Sequence, residues 1–156
     1  MTQNDSFANL SNINMTDAIK KKEGARDKKT GEAKMLDYIP WAEAWRELKS
    51  KYPDAPFKLW RDEDGIPFIE TSGGLMVFTE VTVQGLTLGM HLPVLDYRNN
   101  SVKPDNYTMN DVNKAIMRCL VKNIALHGLG INIYIGEEFS EDGTAEQSEA
   151  TKKKLA

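Results

Sequence analysis

The sequence lacks the ligands of most metal centres and of any disulfide framework. Among its 156 residues there is one cysteine, Cys119, and there are two histidines, His91 and His127. A single cysteine excludes a disulfide within the chain, and a structural zinc site needs more sulfur and imidazole ligands than these. Cys119 falls on the apolar side of a predicted helix, where cysteine usually packs as a small hydrophobe, so we assign it no catalytic role.

Long apolar runs and nucleotide-binding signatures are also missing. No stretch approaches eighteen apolar residues, and the first residues contain no apolar core of a secretory signal. We therefore expect no membrane contact and a reducing, cytoplasmic environment. The GxxxxGK[ST] pattern of nucleotide-hydrolysing loops is absent, and the Gly-Leu-Gly at 128–130 follows a predicted helix instead of preceding one.

Charge of either sign is not in large excess, but it is unevenly placed. The formal net charge is −3, and six acids with no base lie between Glu137 and Glu149, so that the remainder carries +3. The run from Lys20 to Lys34 holds seven bases and three acids. Such runs are usually solvated or flexible; the alternative is a basic arm along a phosphate backbone or a neighbouring subunit.

What is present, over 110–136, is a strong helical pattern that stops at a glycine and continues into a strand. Its apolar residues recur at helical spacing and define one buried face, namely Val112, Ala115, Ile116, Cys119, Leu120, Ile124 and Leu126. Lys114, Arg118 and Lys122 fall four apart and line one stripe of the same helix. On a helix with a core face and a cationic stripe, the cations are either hydrated by bulk water or bind an anion.

The two ends of this helix carry start and stop signals. Asn110 and Asp111 lie in the first turn, where side-chain acceptors satisfy free backbone N–H groups. Gly128 and Gly130 favour a left-handed stop. The alternating isoleucines in 131–135 then predict a short strand.

A second helix is predicted from Pro40 to just before Pro53. Its predicted buried face consists of Trp41, Ala44, Trp45 and Leu48. We interpret the tryptophan pair as core and not as a platform for bases.

Strand patterns fill the middle of the chain. Residues 57–61 and 66–71 predict a hairpin, and 75–83 and 86–97 predict two further antiparallel strands joined by a tight Gln-Gly turn. A proline at 93 favours an edge strand or a bulge. The sequence therefore predicts the α+β class: an antiparallel meander covered on one face by the long helix, with a short helix before it.

One surface has the composition of a nucleic-acid site. Cations that can hold phosphates are interleaved with aromatic residues that can stack on bases, and the candidate residues are Lys114, Arg118, Lys122, Lys103, Arg98, Asn113, Tyr97 and Tyr107. A solvated helix face is the alternative. A metal-dependent nuclease that uses Glu70, Glu80 and Asp96 is a further one, although scattered carboxylates on a solvated strand face explain these residues better.

Three segments resemble a known family. They are YIPWAEAWRELKSKYPDA (38–55), LPVLDYRNN (92–100) and NDVNKAIMRCLVKNIALHGLGINIYIGEE (110–138). Together they are similar to the phage-encoded single-strand annealing proteins of the Sak type. The third segment is the most specific, and the similarity spans about residues 36–138.

The resemblance implies a β-β-β-α annealing core, assembled into rings or helical filaments, that binds single-stranded DNA and pairs it with a complementary strand without ATP. Lys114, Arg118 and Lys122 match basic positions of the family's helix, and Asn113 matches the asparagine before them. Asn123 departs from the pattern, because a small residue is common there. The implied setting is phage recombination in the host cytoplasm.

From this we predict three parts, a flexible basic arm (1–35), an annealing core (36–136) and a disordered acidic tail (137–156). We expect no covalent chemistry and no required cofactor, with magnesium as an option. The expected partners are the two DNA strands, further copies of the chain, and a host single-stranded DNA-binding protein. A small nuclease and a phage adaptor domain without a DNA role remain as alternatives. The tail is either a solubilising end, a competitor of DNA for the basic surface, or a docking segment for the host partner.

Overall fold

The computed structural model describes residues 5–135, which form helices and antiparallel sheets. The elements in chain order are α1 (Ser6–Ser11), a 3₁₀ turn (Thr16–Ala18), β1 (Lys20–Arg26), β2 (Ala33–Tyr38), α2 (Trp41–Lys51), β3 (Phe57–Leu59), β4 (Ile69–Thr71), β5 (Gly74–Val83), β6 (Leu86–Pro93) and α3 (Met109–Leu126). The predicted α+β class is confirmed. No helix in this part of the chain is both long and apolar enough to cross a membrane.

The main sheet is built around β5. Along one edge β5 pairs with the whole length of β6, from Val83 opposite Leu86 to Met76 opposite Pro93. Along the other edge it pairs with two short strands, β3 near its end and β4 near its start. Because β3 and β4 lie end to end on that edge, the predicted hairpin between them is wrong: each pairs with β5 and not with the other.

The β5–β6 hairpin agrees with its sequence pattern. Gln84 and Gly85 form its turn with φ values of 52° and 78°, the pair of positive angles that matches the twist of a two-residue hairpin. Alternate side chains of β5, from Leu75 to Val83, are buried beneath α3, whereas those between them face away. The sheet therefore has one face covered by α3 and one open face.

Helix α3 begins with a complete capping box. The Thr108 hydroxyl accepts from the backbone N–H of Asp111, and the Asp111 carboxylate accepts from the backbone N–H of Thr108, at 3.1 and 3.2 Å. Two of the free N–H groups of the first turn are thus satisfied. The predicted apolar face is buried except at Leu126, which is 39% exposed, whereas the neighbouring Ala125 is buried.

The exit from α3 is held by glycines. Gly128 and Gly130 have φ values of 118° and 79°, which side-chain-bearing residues rarely adopt. A Cβ on Gly128 would lie 2.5 Å from the carbonyl oxygen of Phe7 in α1, so the glycine also permits the close approach of α1.

The predicted strand at 131–135 is wrong, because the chain is helical there. Its backbone bonds are local, from the N–H of Ile131 to the carbonyl of Gly128 and from Ile133 to Gly130. Ile133 and Tyr134 pack against the core from this turn. Five residues of alternating isoleucine fit a helical turn as well as a strand when no neighbouring strand offers a ladder.

The first 35 residues differ from a flexible arm wherever the structure describes them. Leu10 is fully buried in the core, and Met15 joins it. Strands β1 and β2 form a separate two-stranded antiparallel sheet. Ile19 before this hairpin and Ile39 after it both pack in the core that contains the C-terminal half of α3. The division of the whole chain into three parts stays a prediction.

Helix α2 begins after Pro40, which takes the N-cap position. Ala44 and Leu48 are buried, and the Trp45 ring packs edge-on against Phe57 at 6.2 Å. Trp41 is 46% exposed, so its predicted burial is wrong. It is the first residue of the helix.

Candidate nucleic-acid interface

The cationic stripe of α3 lies along the border of its buried face. Lys114 is exposed, whereas Arg118 and Lys122 are half-buried. Four-residue spacing places successive side chains of the stripe one above the other on the helix surface. The helix therefore presents three cations in one row, as the sequence predicts.

A fourth cation reaches this row from β1. Partial desolvation of the Lys22 ammonium, followed by the charges of Arg118 and Lys114, lowers the pKa of Lys22. An effect of neighbouring charges of this kind requires that they lie close together. No sequence feature distinguishes Lys22 from the rest of the Lys20–Lys22 run, because its proximity to α3 arises only from the position of the hairpin. We call Lys22, Lys114, Arg118 and Lys122 the cation cluster.

The cation cluster is not neutralised by residues 5–135. Among these residues, no carboxylate lies within 4.0 Å of any of its members; the ion pairs in this range join Lys21 to Asp37, Arg26 to Glu23 and Arg46 to Glu43. Lys21 shows the contrast most clearly. It neighbours Lys22 in β1 but projects from the opposite side of the strand, where Asp37 pairs with it at 3.0 Å.

Lys122 has an aromatic contact. Its Nζ lies 5.9 Å from the centroid of the Tyr134 ring, within the range of a cation–π interaction. The helical turn after Gly130 therefore ends beside the last cation of the row. Residue 135, the last that the structure describes, directly follows this ring.

The other predicted site residues are not all brought to the row. Tyr97 is 83% exposed, and its ring lies 5.2 Å from the Arg98 guanidinium. Lys103 and Asn113 are exposed. Tyr107 instead is half-buried and packs edge-on against Phe68 at 5.3 Å at the margin of the core, so part of its ring is engaged in packing.

The carboxylates of the nuclease alternative do not form a metal site. Glu70 and Glu80 stand on different parts of the sheet, opposite Leu75 and Lys58. Asp96 accepts from the backbone N–H groups of its own turn. Within residues 5–135 no group of three or more His, Cys, Asp or Glu side chains is arranged to hold a metal ion.

A buried polar cluster lies between α3 and the sheet. The Asn123 amide nitrogen lies 3.0 Å from the Leu88 carbonyl and 3.1 Å from the Thr79 hydroxyl. The Cys119 thiol lies 3.3 Å from that hydroxyl and 3.4 Å from the Met90 carbonyl. Burial raises the pKa of Cys119, with the Thr79 hydrogen bonds and the Lys122 charge acting in the opposite direction. Sequence reasoning missed this cluster because an asparagine on an apolar face gives no sign of its acceptors.

His127 continues this polar layer at the end of α3. Its ring is buried, and Nε2 lies 2.8 Å from the Val81 carbonyl. Because a carbonyl can only accept, Nε2 is the protonated nitrogen. Burial lowers the pKa of His127, and the bond to Val81 acts in the opposite direction. These contacts fix the depth and rotation of α3 on the sheet, and thereby the direction of the cation cluster.

The fold and this surface define an α+β protein whose long helix packs on a sheet and presents, along the border of its buried face, a row of cations that no carboxylate of residues 5–135 neutralises. The chain belongs to the family described as Sak single strand annealing protein, whose match covers residues 5–156. Neither the curated proteins nor the solved structures include a match to it. The resemblance found in the sequence is thus confirmed at the level of the family.

Proposed function

We propose that this protein binds single-stranded DNA and anneals it to a complementary strand in homologous recombination, without ATP and as an oligomeric ring or filament. The proposal rests on family membership and on one structural observation. The cations of α3, joined by Lys22, have no carboxylate within 4.0 Å in the described part of the chain. A row of unpaired cations is suited to a polyanion, because each phosphate contact releases condensed counterions.

Annealing is driven mainly by the DNA itself, and the protein has only a small part in it. Base stacking contributes about 1.4 kcal/mol per base-pair step once two strands are in register. The protein has to reduce repulsion between the phosphates and to keep the bound strand extended. In this mechanism Lys114, Arg118 and Lys122 hold the backbone of the first strand, Lys22 holds it from the hairpin side, and the bases remain free to test a second strand.

The proposed assembly of subunits is argued from length and not from the cation cluster. One α3 of 18 residues is about 27 Å long, which is enough for only a few nucleotides. A strand long enough to be annealed must therefore run across several copies. Particle size with and without oligonucleotide measures this directly.

The decisive experiment is a fluorescence annealing assay with two complementary oligonucleotides, without nucleotide and with or without magnesium. We expect annealing above the protein-free rate, and a binding affinity that falls steeply between about 50 and 200 mM salt. An affinity that does not change with salt would rule out phosphate binding by the cluster. Shortened oligonucleotides with magnesium or manganese would favour the nuclease alternative, and no DNA affinity at low salt would favour the adaptor.

A double variant locates the site. Arg118→Ala with Lys122→Ala should reduce annealing and lower the salt slope by about 1.4, since a single-strand phosphate contact contributes about 0.7. Lys51→Ala with Lys58→Ala removes two exposed cations from α2 and β3 and is the matched control, for which both quantities should stay at the wild-type level. Equal loss in the two variants would move the site away from α3.

A further inference from the structure

The cation cluster has an unusual electrostatic state for a DNA-free protein. Arg118 and Lys114 act on Lys22 as like charges, and no carboxylate of residues 5–135 lies within 4.0 Å of the cluster. Like charges held close together destabilise one another unless a counter-charge approaches. Until DNA binds, this surface therefore favours any anionic segment within reach.

Such a segment follows the described residues directly in the sequence. Glu137–Glu149 carries six acids and no base, and the described chain ends at residue 135, one residue after Tyr134, whose ring lies 5.9 Å from Lys122. The first acid is thus three residues beyond the aromatic ring that adjoins the cluster.

The tether is long enough to cover the whole row. Thirteen residues span at most about 43–47 Å when extended, whereas Lys114 and Lys122 are separated by eight residues of helix, or about 12 Å. The acids can reach both ends of the row without any change in the fold. The spacing of one carboxylate every few residues also resembles a sparse version of a phosphate backbone.

We propose that the acidic segment Glu137–Glu149 of the same chain occupies the cation cluster when DNA is absent and competes with single-stranded DNA for it. The segment is an internal counter-ion that DNA has to displace. The inference rests on the proposed function for its purpose, since competition matters only if DNA binds there. The contact between tail and cluster can be tested without DNA.

Competition by a tethered segment selects for long ligands. Covalent attachment gives the tail an effective concentration on the order of 1 mM, so weak binding is sufficient to discourage a short oligonucleotide. A long single strand that crosses several copies gains many phosphate contacts and displaces each tail in turn. Binding would then depend more steeply on strand length than the cations alone would require.

The DNA-free test is carbodiimide cross-linking of the full chain, which joins lysine amines directly to carboxylates. We expect links from the acids of 137–149 to Lys22, Lys114 and Lys122, and their loss in about 0.5 M salt, where the screening length is only a few ångströms. Lys51 and Lys58 are the internal controls. Links to all lysines alike, an absence of links to the cluster, or links only between isotopically distinct chains would overturn the proposal.

The DNA arm compares two full-length variants with the same change in net charge. Glu137→Gln, Glu138→Gln and Glu141→Gln remove charge from the tail, whereas Asp54→Asn, Glu63→Gln and Glu70→Gln remove it from exposed positions of the body. We expect the tail variant to bind a short oligonucleotide about three- to tenfold more tightly at low salt, because the tethered competitor is weakened. The body variant should show little change. Equal tightening in both would mean that net charge alone is responsible and would overturn the proposal.

The two arms separate the failure of this inference from that of the function. If oligonucleotides do not bind at all, the proposed function fails while the cross-links still report on the tail. If DNA binds and anneals but the cluster yields no tail links, only the inference fails.

Discussion

The side-chain amide of Asn123 in α3 donates to the backbone carbonyl of Leu88 in β6 at 3.0 Å, in a site where Asn123 has no exposed surface. The same nitrogen also lies within hydrogen-bonding distance of the carbonyl and hydroxyl oxygens of Thr79 in β5. One amide thus bridges the two long strands from the helix above them. A polar anchor of this kind fixes the rotation of α3, which hydrophobic contacts alone would leave adjustable.

Loss of this bridge should reduce stability. Asn123→Ala is expected to lower the free energy of unfolding by about 1–3 kcal/mol, because buried hydrogen bonds are lost and a cavity is left. Asn113→Ala, on the exposed side of the same helix, is the matched control and should change it by less than about 0.5 kcal/mol. Urea unfolding followed by circular dichroism measures both free energies. Equal effects of the two substitutions would show that the Asn123 bridge does not stabilise the fold.

Stability should fall with acidification because of His127. Burial lowers the pKa of this imidazole, so the unfolded chain takes up the proton first as the pH falls below about 6.5. The contribution of His127 to the free energy of unfolding is complete above that pH. It decreases as the pH falls toward the folded-state pKa, by about 1.4 kcal/mol in total for each unit by which folding lowers that pKa.

Two variants isolate the contribution of this imidazole. His127→Gln should flatten this part of the curve of unfolding free energy against pH, whereas His91→Gln, at an exposed position of β6, should preserve it. A wild-type slope in His127→Gln would assign the effect to other groups.

Gly128 should tolerate no side chain. Gly128→Ala adds a Cβ at a φ of 118° and 2.5 Å from the Phe7 carbonyl, so that α1 must move. Gly65→Ala, at a φ of 82° with nothing within 4 Å of the new Cβ, tests the conformational cost alone, about 1–2 kcal/mol. We expect a larger drop in melting temperature for Gly128→Ala, and equal drops would show that the approach of α1 is unimportant.

Lys22 and Lys21 should differ in DNA binding despite being neighbours. Lys22→Ala removes a member of the cation cluster and should lower the salt slope of oligonucleotide binding by about 0.7. Lys21→Ala removes a lysine that is paired with Asp37 on the other side of the strand and should leave the slope unchanged. If the two variants behave alike, only the total charge of the hairpin matters for DNA binding, and the position of Lys22 beside α3 does not.

The thiol of Cys119 should be inert in the folded protein. It is buried, and burial raises its pKa, so little thiolate is present at neutral pH. We expect a disulfide reagent to react with it only at the rate of unfolding, and at once in denaturant. Fast reaction under native conditions would show that α3 separates readily from the sheet.

The parts of the fold that follow from local pattern were predictable. The long helix, its glycine exit and the β5–β6 hairpin each carry their own periodicity and turn residues. Non-local pairing was not predictable in the same way. The strands β3 and β4 are adjacent in sequence and look like a hairpin, yet both pair with β5, and no local signal distinguishes the two arrangements.

The candidate site divides along the same line. The row on α3 follows from four-residue spacing and was found in the sequence. The position of Lys22 beside Arg118 depends on how the hairpin is anchored, and the packing of Tyr107 on Phe68 depends on the loop that carries it. Composition favoured a flexible arm over 1–35 because charged residues conceal the two strands there, and only isolated apolar residues such as Leu10 reveal its contact with the core.

The anchoring of the hairpin links charge geometry to packing. Ile19 and Ile39 hold its two ends in the core, and a Cβ on Gly130 would lie 2.9 Å from Cδ1 of Ile39. A side chain at Gly130 would therefore press against the end of the Ile39 side chain, which anchors the hairpin that carries Lys22, without altering any charged residue. We therefore expect packing at this uncharged position to influence the affinity for a polyanion.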